Sequence, residues 1–260
     1  MLSVLISVAV MGGVALVFAI VISIAHKKLK VEVDPRVEAL VEILPGANCG
    51  ACGYPGCQQY AEAVVKGEEP NKCSVGGPEV AAEIAKIMGV EAGEVVRKVA
   101  RVLCIGDREK SVWVADYNGL QSCTAAHIAG GAGKLCSYGC LGFGDCVKAC
   151  PFDAIHMNDK GLPVVDEEKC TGCGLCAEAC PRNIIVIEPI DKRTFVFCRS
   201  QDSPKTSRQV CSVACIACGI CVRFSAEGMK MDGNLAVVVD QDKVNEQSIQ
   251  KCPTKVLFRI

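Results

Sequence analysis

Cysteines dominate the chemistry that this sequence could perform. The chain has 20 cysteines among 260 residues, and most of them stand in closely spaced C-x-x-C runs. Neighbouring thiolates on a tight turn can converge on one metal centre, so such runs indicate metal sites rather than a disulfide framework. Zinc also accepts four thiolates. Three cysteines in C-x2-C-x2-C with a distant Cys-Pro favour a four-iron iron–sulfur cluster, whose ligand thiolates require a reducing compartment.

The first candidate site has the spacing C-x2-C-x4-C-x15-C among many glycines. Glycine permits unusual φ angles and close backbone approach, which suits a cuboidal cluster. Apolar periodicity predicts helices over 58–66 and 79–88, on either side of the site. A purely structural cluster is the alternative to an electron-carrying one. The predicted ligands are Cys49, Cys52, Cys57 and Cys73.

Two further runs end in Cys-Pro, at Cys150-Pro151 and Cys180-Pro181. In two-cluster ferredoxins the fourth cysteine of each run binds the cluster of the other run. That rule predicts one site from Cys150, Cys170, Cys173 and Cys176. In the second site Phe143 occupies the place of the middle cysteine, and we expect Cys136 to substitute for it. The predicted ligands of this site are Cys136, Cys140, Cys146 and Cys180.

A third, incomplete copy of this unit follows. Its first half has three cysteines, but Ser225 stands where the fourth should be, and its second half ends in Cys252-Pro253. Counting back from Cys252 at the usual spacing reaches Ser248, Asn245 and Asp242, none of them a cysteine. All ligands of one cluster are therefore missing, whereas those of the other remain. The predicted ligands of this single cluster are Cys215, Cys218, Cys221 and Cys252.

These assignments predict four [4Fe-4S] clusters, with a range of three to five. Four cysteines are left over, and we expect them to be buried free thiols. A fifth cluster built from them is the alternative, and the fourth of them is also an alternative ligand because it lies four positions before Cys215. The four are Cys104, Cys123, Cys198 and Cys211.

The first 25 residues contain no charged side chain, and a basic flank follows at 26–30. About 20 apolar residues suffice to cross a bilayer as a helix, and the flank predicts that the chain continues in the cytoplasm. A cleavable signal peptide is the alternative, but it would carry its charges before a shorter apolar core. We expect a single span in the cytoplasmic membrane, with the N-terminus outside and the clusters on the cytoplasmic side.

The fold class predicted from these patterns is α+β. The predicted units are a transmembrane anchor at 1–26, a juxtamembrane linker at 27–43, a small helical four-cysteine domain at 44–100, a connecting segment at 101–133, a two-cluster ferredoxin-like domain at 134–188 and a degenerate ferredoxin-like repeat at 189–260. The net charge is −5 over residues 31–98 and +4 over 190–260. The basic end could dock an acidic partner protein, or it could simply be a mixed solvated surface.

Other chemistry has little support in the sequence. There is no G-x-G-x-x-G or P-loop motif, so dinucleotide binding is not expected. The three histidines form no constellation, and no nucleophile–base pair can be argued. We therefore predict no catalytic residue and no nucleic-acid partner.

The order of the anchor, the LPGANCGACGYPGC segment and the GCLGFGDCVKACPFDAI repeat resembles the B subunits of Rnf complexes, the ion-translocating ferredoxin:NAD⁺ oxidoreductases. The resemblance covers nearly the whole chain and is weakest at 101–133 and 225–250. It implies a membrane-anchored iron–sulfur protein that accepts electrons from reduced soluble ferredoxin and relays them to the other subunits of the complex. The chain would then belong to a translocase without holding a complete active site.

Two other functions remain open on the residues alone. One is an iron–sulfur subunit of a different membrane oxidoreductase, which reduces quinones or disulfides. The other is a non-enzymatic redox-sensing iron–sulfur protein, although a sensor needs an output domain. The anchor combined with several cluster sites favours the electron-relay function over both.

Overall fold

The computed structural model describes residues 2–29 and 34–260 of the chain. Residues 1 and 30–33, which include part of the predicted juxtamembrane linker, lie outside the described residues. Helices and strands are mixed along the chain, which confirms that part of the predicted α+β class. The elements are α1 (Leu2–Leu29), α2 (Pro35–Ile43), α3 (Cys57–Val65), α4 (Gly77–Met88), β1 (Lys98–Val102), α5 (Cys123–Ile128), α6 (Asp145–Lys148), β2 (Ile155–Met157), β3 (Pro163–Val165), α7 (Leu175–Glu178), β4 (Ile185–Pro189), β5 (Thr194–Val196), α8 (Pro204–Val210), α9 (Ile220–Phe224), β6 (Met229–Asp232), β7 (Leu235–Val238), α10 (Glu246–Gln250) and β8 (Leu257–Arg259).

Helix α1 comprises 28 residues, and the side chains described along it are exposed and, apart from Ser23, not polar. Only some of the side chains of α1 are described, namely residue 6 and residues 10–24. In the part of the chain searched, which is limited to described residues, no helix is long and apolar enough to cross a membrane.

Helices α2, α3 and α4 form a small bundle around buried Leu40, Tyr60 and Ile84. The Asp34 carboxylate caps α2 by accepting a hydrogen bond from the backbone N–H of Arg36 at 2.9 Å. Helix α4 ends at a left-handed glycine, as helices commonly do. The two helices predicted around the first cysteine group are confirmed as α3 and α4.

The strands form four separate two-stranded antiparallel sheets. β2 pairs with β3 and β6 with β7 as short hairpins, whereas β5 pairs with β8 and brings the chain's end back onto its repeat. β1 pairs with β4 over five residues, from Lys98 opposite Pro189 to Val102 opposite Ile185. β1 thus crosses the predicted boundary at 100/101 and packs on the two-cluster region.

Cysteines form part of the two larger cores. Cys140, Cys146, Cys170 and Cys176 are buried among small and aliphatic side chains in one, and Cys215, Cys221 and Cys252 in the other. Thiols take the place that bulky side chains fill in an ordinary domain, which accounts for an aromatic content of only 5%.

Candidate iron–sulfur sites

Three of the predicted cysteine groups each surround a cavity. Their empty volumes, including the space at each mouth, are about 340, 330 and 370 Å³. Within the described part of the chain, no three His, Cys, Asp or Glu side chains converge closely enough to hold a single metal ion. The groups are Cys49, Cys52, Cys57 and Cys73; Cys150, Cys170, Cys173 and Cys176; and Cys215, Cys218, Cys221 and Cys252.

The loops that begin at Cys140, Cys170 and Cys215 repeat one backbone pattern. After the first cysteine, the residues at the second and fourth following positions are left-handed, and a one-turn helix then begins. Glycine tolerates that conformation without strain. The pairs are Gly142 and Gly144, Gly172 and Gly174, and Ala217 and Gly219, with φ between 50° and 88°. Phe143 lies inside this pattern, in the place of Cys173 and Cys218, as the spacing predicted.

A second repeat of the backbone follows each Cys-Pro. The third residue after the cysteine is left-handed in all three copies, at Asp153, Asn183 and Lys255. Each of these residues leads into a strand, namely β2, β4 or β8. The three Cys-Pro segments therefore share one conformation, although the third copy has lost a complete set of ligands.

Gly172 is the most tightly constrained of these glycines. Its φ is +68°, and a Cβ atom there would lie 2.5 Å from the carbonyl oxygen of Lys98 in β1. Because β1 comes this close, the loop can hold only glycine. The contact ties the 170–176 loop to the strand that leads from the four-cysteine domain.

Near Phe143 the structure places Cys123 close to the group that lacks a middle cysteine. Cys123 is the first residue of α5, which docks on α6 through the Asp145 carboxylate. That carboxylate accepts hydrogen bonds from the hydroxyl of Ser122 at 2.8 Å and the backbone N–H of Thr124 at 3.0 Å. Burial raises the pKa of the Cys146 thiol to about 11, with further contributions from the nearby Cys123 and Cys180. The docking thus brings Cys123 to the group that lacks a middle cysteine.

Cys136, which we expected to complete that group, lines another cavity. There it lies with Cys104, Cys198 and Cys211, three of the cysteines predicted to be free thiols. No spacing in the sequence signals this exchange, because Cys123 and Cys104 stand in the connecting segment outside any recognisable run. The only available signal was that 20 cysteines divide evenly into groups of four.

In the incomplete third repeat, two serines occupy positions where the ligands of the missing cluster would stand. Ser225 and Ser248, at two positions where cysteines are missing, are buried, and their hydroxyl oxygens are 2.7 Å apart. Ser225 Oγ also accepts from the backbone N–H of Asn245 at 2.7 Å, and Ser248 Oγ donates to the carbonyl of Cys221 at 3.0 Å. The paired hydroxyls thus connect the end of α9 to α10 at the place where a complete two-cluster unit would bind its second cluster.

Comparison with known proteins agrees with this geometry. A family model described as "Putative Fe-S cluster" matches residues 44–75, and one described as "4Fe-4S dicluster domain" matches 135–187. The B subunit of the Na(+)-translocating ferredoxin:NAD(+) oxidoreductase complex of Acetobacterium woodii is 45% identical, over 96% of this chain and 76% of that protein. Its proton-translocating counterpart in Clostridium ljungdahlii is 41% identical over 99% and 93%, and the B subunit of the ion-translocating oxidoreductase complex of Methanosarcina acetivorans is 37% identical over 96% of each. The chain belongs to the B-subunit family of ion-translocating oxidoreductase (Rnf) complexes. This finding confirms the resemblance drawn from the motifs.

The cysteine groups of this family member fit iron–sulfur clusters chemically. Each group offers four thiols. Backbone N–H groups point at a sulfur in two of the groups: the N–H of Ala100 lies 3.4 Å from Cys170 Sγ, and the N–H of Gly76 lies 3.3 Å from Cys73 Sγ. Such hydrogen bonds to sulfur help to set a cluster's reduction potential. Burial raises the pKa of the Cys176 thiol to about 12, so cluster binding there must displace a proton.

One buried and one half-buried cation, Lys134 and Arg182, lie beside the group near Phe143. The Lys134 ammonium donates to the carbonyls of Gly106 and Cys140, each at 2.7 Å. The Arg182 guanidinium donates to the carbonyls of Cys136 and Gly139, the latter at 3.0 Å. Because four thiolates and a cluster carry net negative charge, cations at this depth stabilise the loaded site.

Proposed function

We propose that this chain is the electron-input subunit of an ion-translocating ferredoxin:NAD⁺ oxidoreductase. The observation that carries the proposal is the arrangement of separate cysteine-lined cavities, with the repeat geometry of ferredoxin loops, in one chain of the Rnf B-subunit family. A [4Fe-4S] cluster supplies reversible one-electron transfer when it is bound. The chain itself holds, buries and charges the sites, while NAD⁺ reduction and ion movement belong to other subunits.

The proposed clusters number four, from sixteen cysteines. Three retain the ligands expected from the sequence: Cys49, Cys52, Cys57 and Cys73; Cys150, Cys170, Cys173 and Cys176; and Cys215, Cys218, Cys221 and Cys252. In the fourth, Cys123 joins Cys140, Cys146 and Cys180 in place of Cys136. The change is supported by the effect of the Cys123 and Cys180 charges on the pKa of Cys146, behind the larger effect of burial.

Electrons would enter at the C-terminal repeat. Cys218 is exposed, whereas the other 19 cysteines, all of them described, are buried or half-buried. The nearby side chains of Arg223, Lys230 and Lys251 are exposed and positive, and the region carries a net charge of +4. An acidic ferredoxin would be attracted to this surface, and electron transfer favours the most accessible cluster.

The docking proposal is tested by charge reversal in the purified complex. The double variant Arg223→Glu/Lys230→Glu should raise KM for ferredoxin about tenfold with little effect on kcat, and should weaken the salt dependence of KM. Lys66→Glu, a charge reversal in the four-cysteine domain, serves as the matched control. An unchanged KM in the double variant would place the docking surface elsewhere.

The relay function itself is tested by the choice of electron donor. Reduced ferredoxin should bleach the cluster absorbance of the purified complex and support NAD⁺ reduction. If a quinol or a dithiol reduces the clusters while reduced ferredoxin does not, the chain serves a different membrane oxidoreductase. That outcome would revive the alternative left open by the motifs.

The finer membrane arrangement is also part of the proposal, with α1 as a single span, its N-terminus outside and the clusters in the cytoplasm. Support comes from the absence of charge in residues 1–25, the 28-residue helix and its exposed apolar side chains such as Met11 and Phe18. A chain lacking residues 1–29 should be released from membranes by alkaline carbonate, whereas the full chain should be retained. Retention of both forms would contradict an anchoring role of α1.

A further inference from the structure

Four cysteines remain outside the proposed clusters, and they lie together. Cys104, Cys136, Cys198 and Cys211 all line one cavity with an empty volume of about 330 Å³, close to the 330 to 370 Å³ of the three predicted groups. We propose that these four cysteines hold a fifth [4Fe-4S] cluster. The inference rests on the proposed function, since it assumes that the chain is loaded with clusters.

The tertiary fold, not a local motif, assembles this group. Cys104 follows β1, Cys198 follows β5 and Cys211 ends α8. The segment near residue 111 runs antiparallel to the end of α8, with the N–H of Val112 donating to the carbonyl of Val210 at 2.9 Å and Ser111 bridged to Cys211. Ligands from such distant segments would cross-link the connecting segment, the two-cluster region and the C-terminal repeat.

The sulfurs of this group have the same backbone environment as those of the predicted sites. The N–H of Cys140 points at Cys104 Sγ at 3.3 Å, and the N–H of Ser200 points at Cys198 Sγ at 3.4 Å. These distances match the N–H to sulfur contacts of Cys73 and Cys170. Donors aimed at sulfur favour the thiolate form that a cluster needs.

Glycines keep the space beside these sulfurs open. A Cβ atom on Gly106 would lie 3.0 Å from Cys211 Sγ, and one on Gly139 would lie 3.3 Å from Cys136 Sγ. Four buried free thiols would be expected to pack against one another, because protein interiors leave few voids. A cavity bounded by four sulfurs, with the Lys134 ammonium in its wall, suits an anionic cluster better than free thiols.

The location gives this fifth site a role. Cys198 packs against the core cluster that contains Cys215 and also against the one that contains Cys136 and Cys211. On the other side, Cys104 Sγ lies 3.3 Å from the backbone nitrogen of Cys140. The group therefore lies between the C-terminal site and the site near Phe143. A cluster here would link the exposed entry site to the interior of the chain.

The first test is the iron and acid-labile sulfide content of the full chain, purified anaerobically in its complex. Five clusters predict about 20 iron atoms per chain, whereas four predict about 16. A value of about 16 in a complex that still transfers electrons from ferredoxin to NAD⁺ would overturn the fifth cluster and leave the proposed function intact. This count needs no variant, so it decides the question even if a variant misfolds.

The second test identifies which cysteines share a cluster, through the iron lost by alanine variants. Cys211→Ala should lose about four irons, and adding Cys136→Ala should cause no further loss, because both ligands serve one cluster. Cys123→Ala combined with Cys136→Ala should lose about eight. If instead the Cys136/Cys211 pair loses about eight and the Cys123/Cys136 pair about four, Cys136 belongs to the site near Phe143 and the proposal is wrong.

Discussion

Replacing the buried ammonium of Lys134 should make an adjacent cluster harder to reduce. Lys134 is 5% exposed and lines the cavity of Cys104, Cys136, Cys198 and Cys211. A Cβ atom on Gly139 would lie 3.2 Å from Lys134 Nζ and 3.3 Å from Cys136 Sγ, so these two atoms are at most 6.5 Å apart. Lys134→Met removes the positive charge but keeps an unbranched side chain.

The magnitude follows from Coulomb's law. At an effective dielectric constant of about 20, two unit charges about 6.5 Å apart interact by about 2.5 kcal/mol, equivalent to a potential on the order of 100 mV. The electron added on reduction is spread over the whole cluster rather than held on this one sulfur, so the shift should be smaller than this value. We expect the reduction potential to fall by between about 30 and 100 mV in Lys134→Met.

The assay is a redox titration of the purified complex followed by EPR spectroscopy, with iron content as a check on loading. Arg108→Met is the matched control, because Arg108 also lies over the Trp113 ring and carries one positive charge, but is 65% exposed. Solvent screening should keep the shift in that variant small. Fully loaded Lys134→Met with unchanged potentials, or with the same shift as Arg108→Met, would refute the role of buried charge.

Three further predictions concern the framework of the sites, each measured as the free energy of unfolding of the loaded protein. Gly172→Ala should cost about 3 kcal/mol or more and release iron, because the strain of a left-handed alanine adds to a clash with the backbone of β1. Gly161→Ala is the control and should cost about 1 kcal/mol, because Gly161 is also left-handed but a Cβ atom there would contact nothing. Equal costs in the two variants would show that the clash at Gly172 has no effect. Ser225→Ala should cost about 1–3 kcal/mol by removing the partner of the buried Ser248 hydroxyl and of the half-buried hydrogen bond from Asn245 N–H, and a cost near zero would contradict this. Glu167→Gln should cost about 2 kcal/mol, since it removes the carboxylate paired with buried Arg101. Hydrogen bonding to Arg101 lowers the pKa of Glu167 from its ordinary value of 4.5. The stabilisation from this ion pair is therefore present above pH 4.5 and is lost as the pH falls through the lowered pKa. If Glu167→Gln lost as much stability as the wild type over this acid range, the assignment would be contradicted.

The spacing of residues predicted those features that depend on the conformation of a short stretch of backbone. Each Cys-x-x-Cys loop needs left-handed residues at fixed places, so the loops at 170–176 and 215–221 could be recognised from the sequence, and Phe143 has the place in this backbone pattern that its spacing predicted. Helices α3 and α4 were predictable because their apolar periodicity is strong. The pairing of β1 with β4, which lie far apart in the sequence, had no local signal.

Phe143 shows why the remaining ligands could not be assigned from spacing. A missing cysteine can be replaced by any segment that docks at the right place, and we propose that α5, which docks through its contacts with Asp145, does so here. Phe143 instead packs edge-on against Tyr117, at 5.5 Å between ring centroids, and helps to hold the connecting segment in position. Phe143, Tyr117 and Cys123 pack against one apolar cluster, and Cys136 lines a cavity with Cys104, Cys198 and Cys211. In the proposed assignment, Phe143 therefore accounts for both departures from the sequence prediction, at Cys123 and at Cys136.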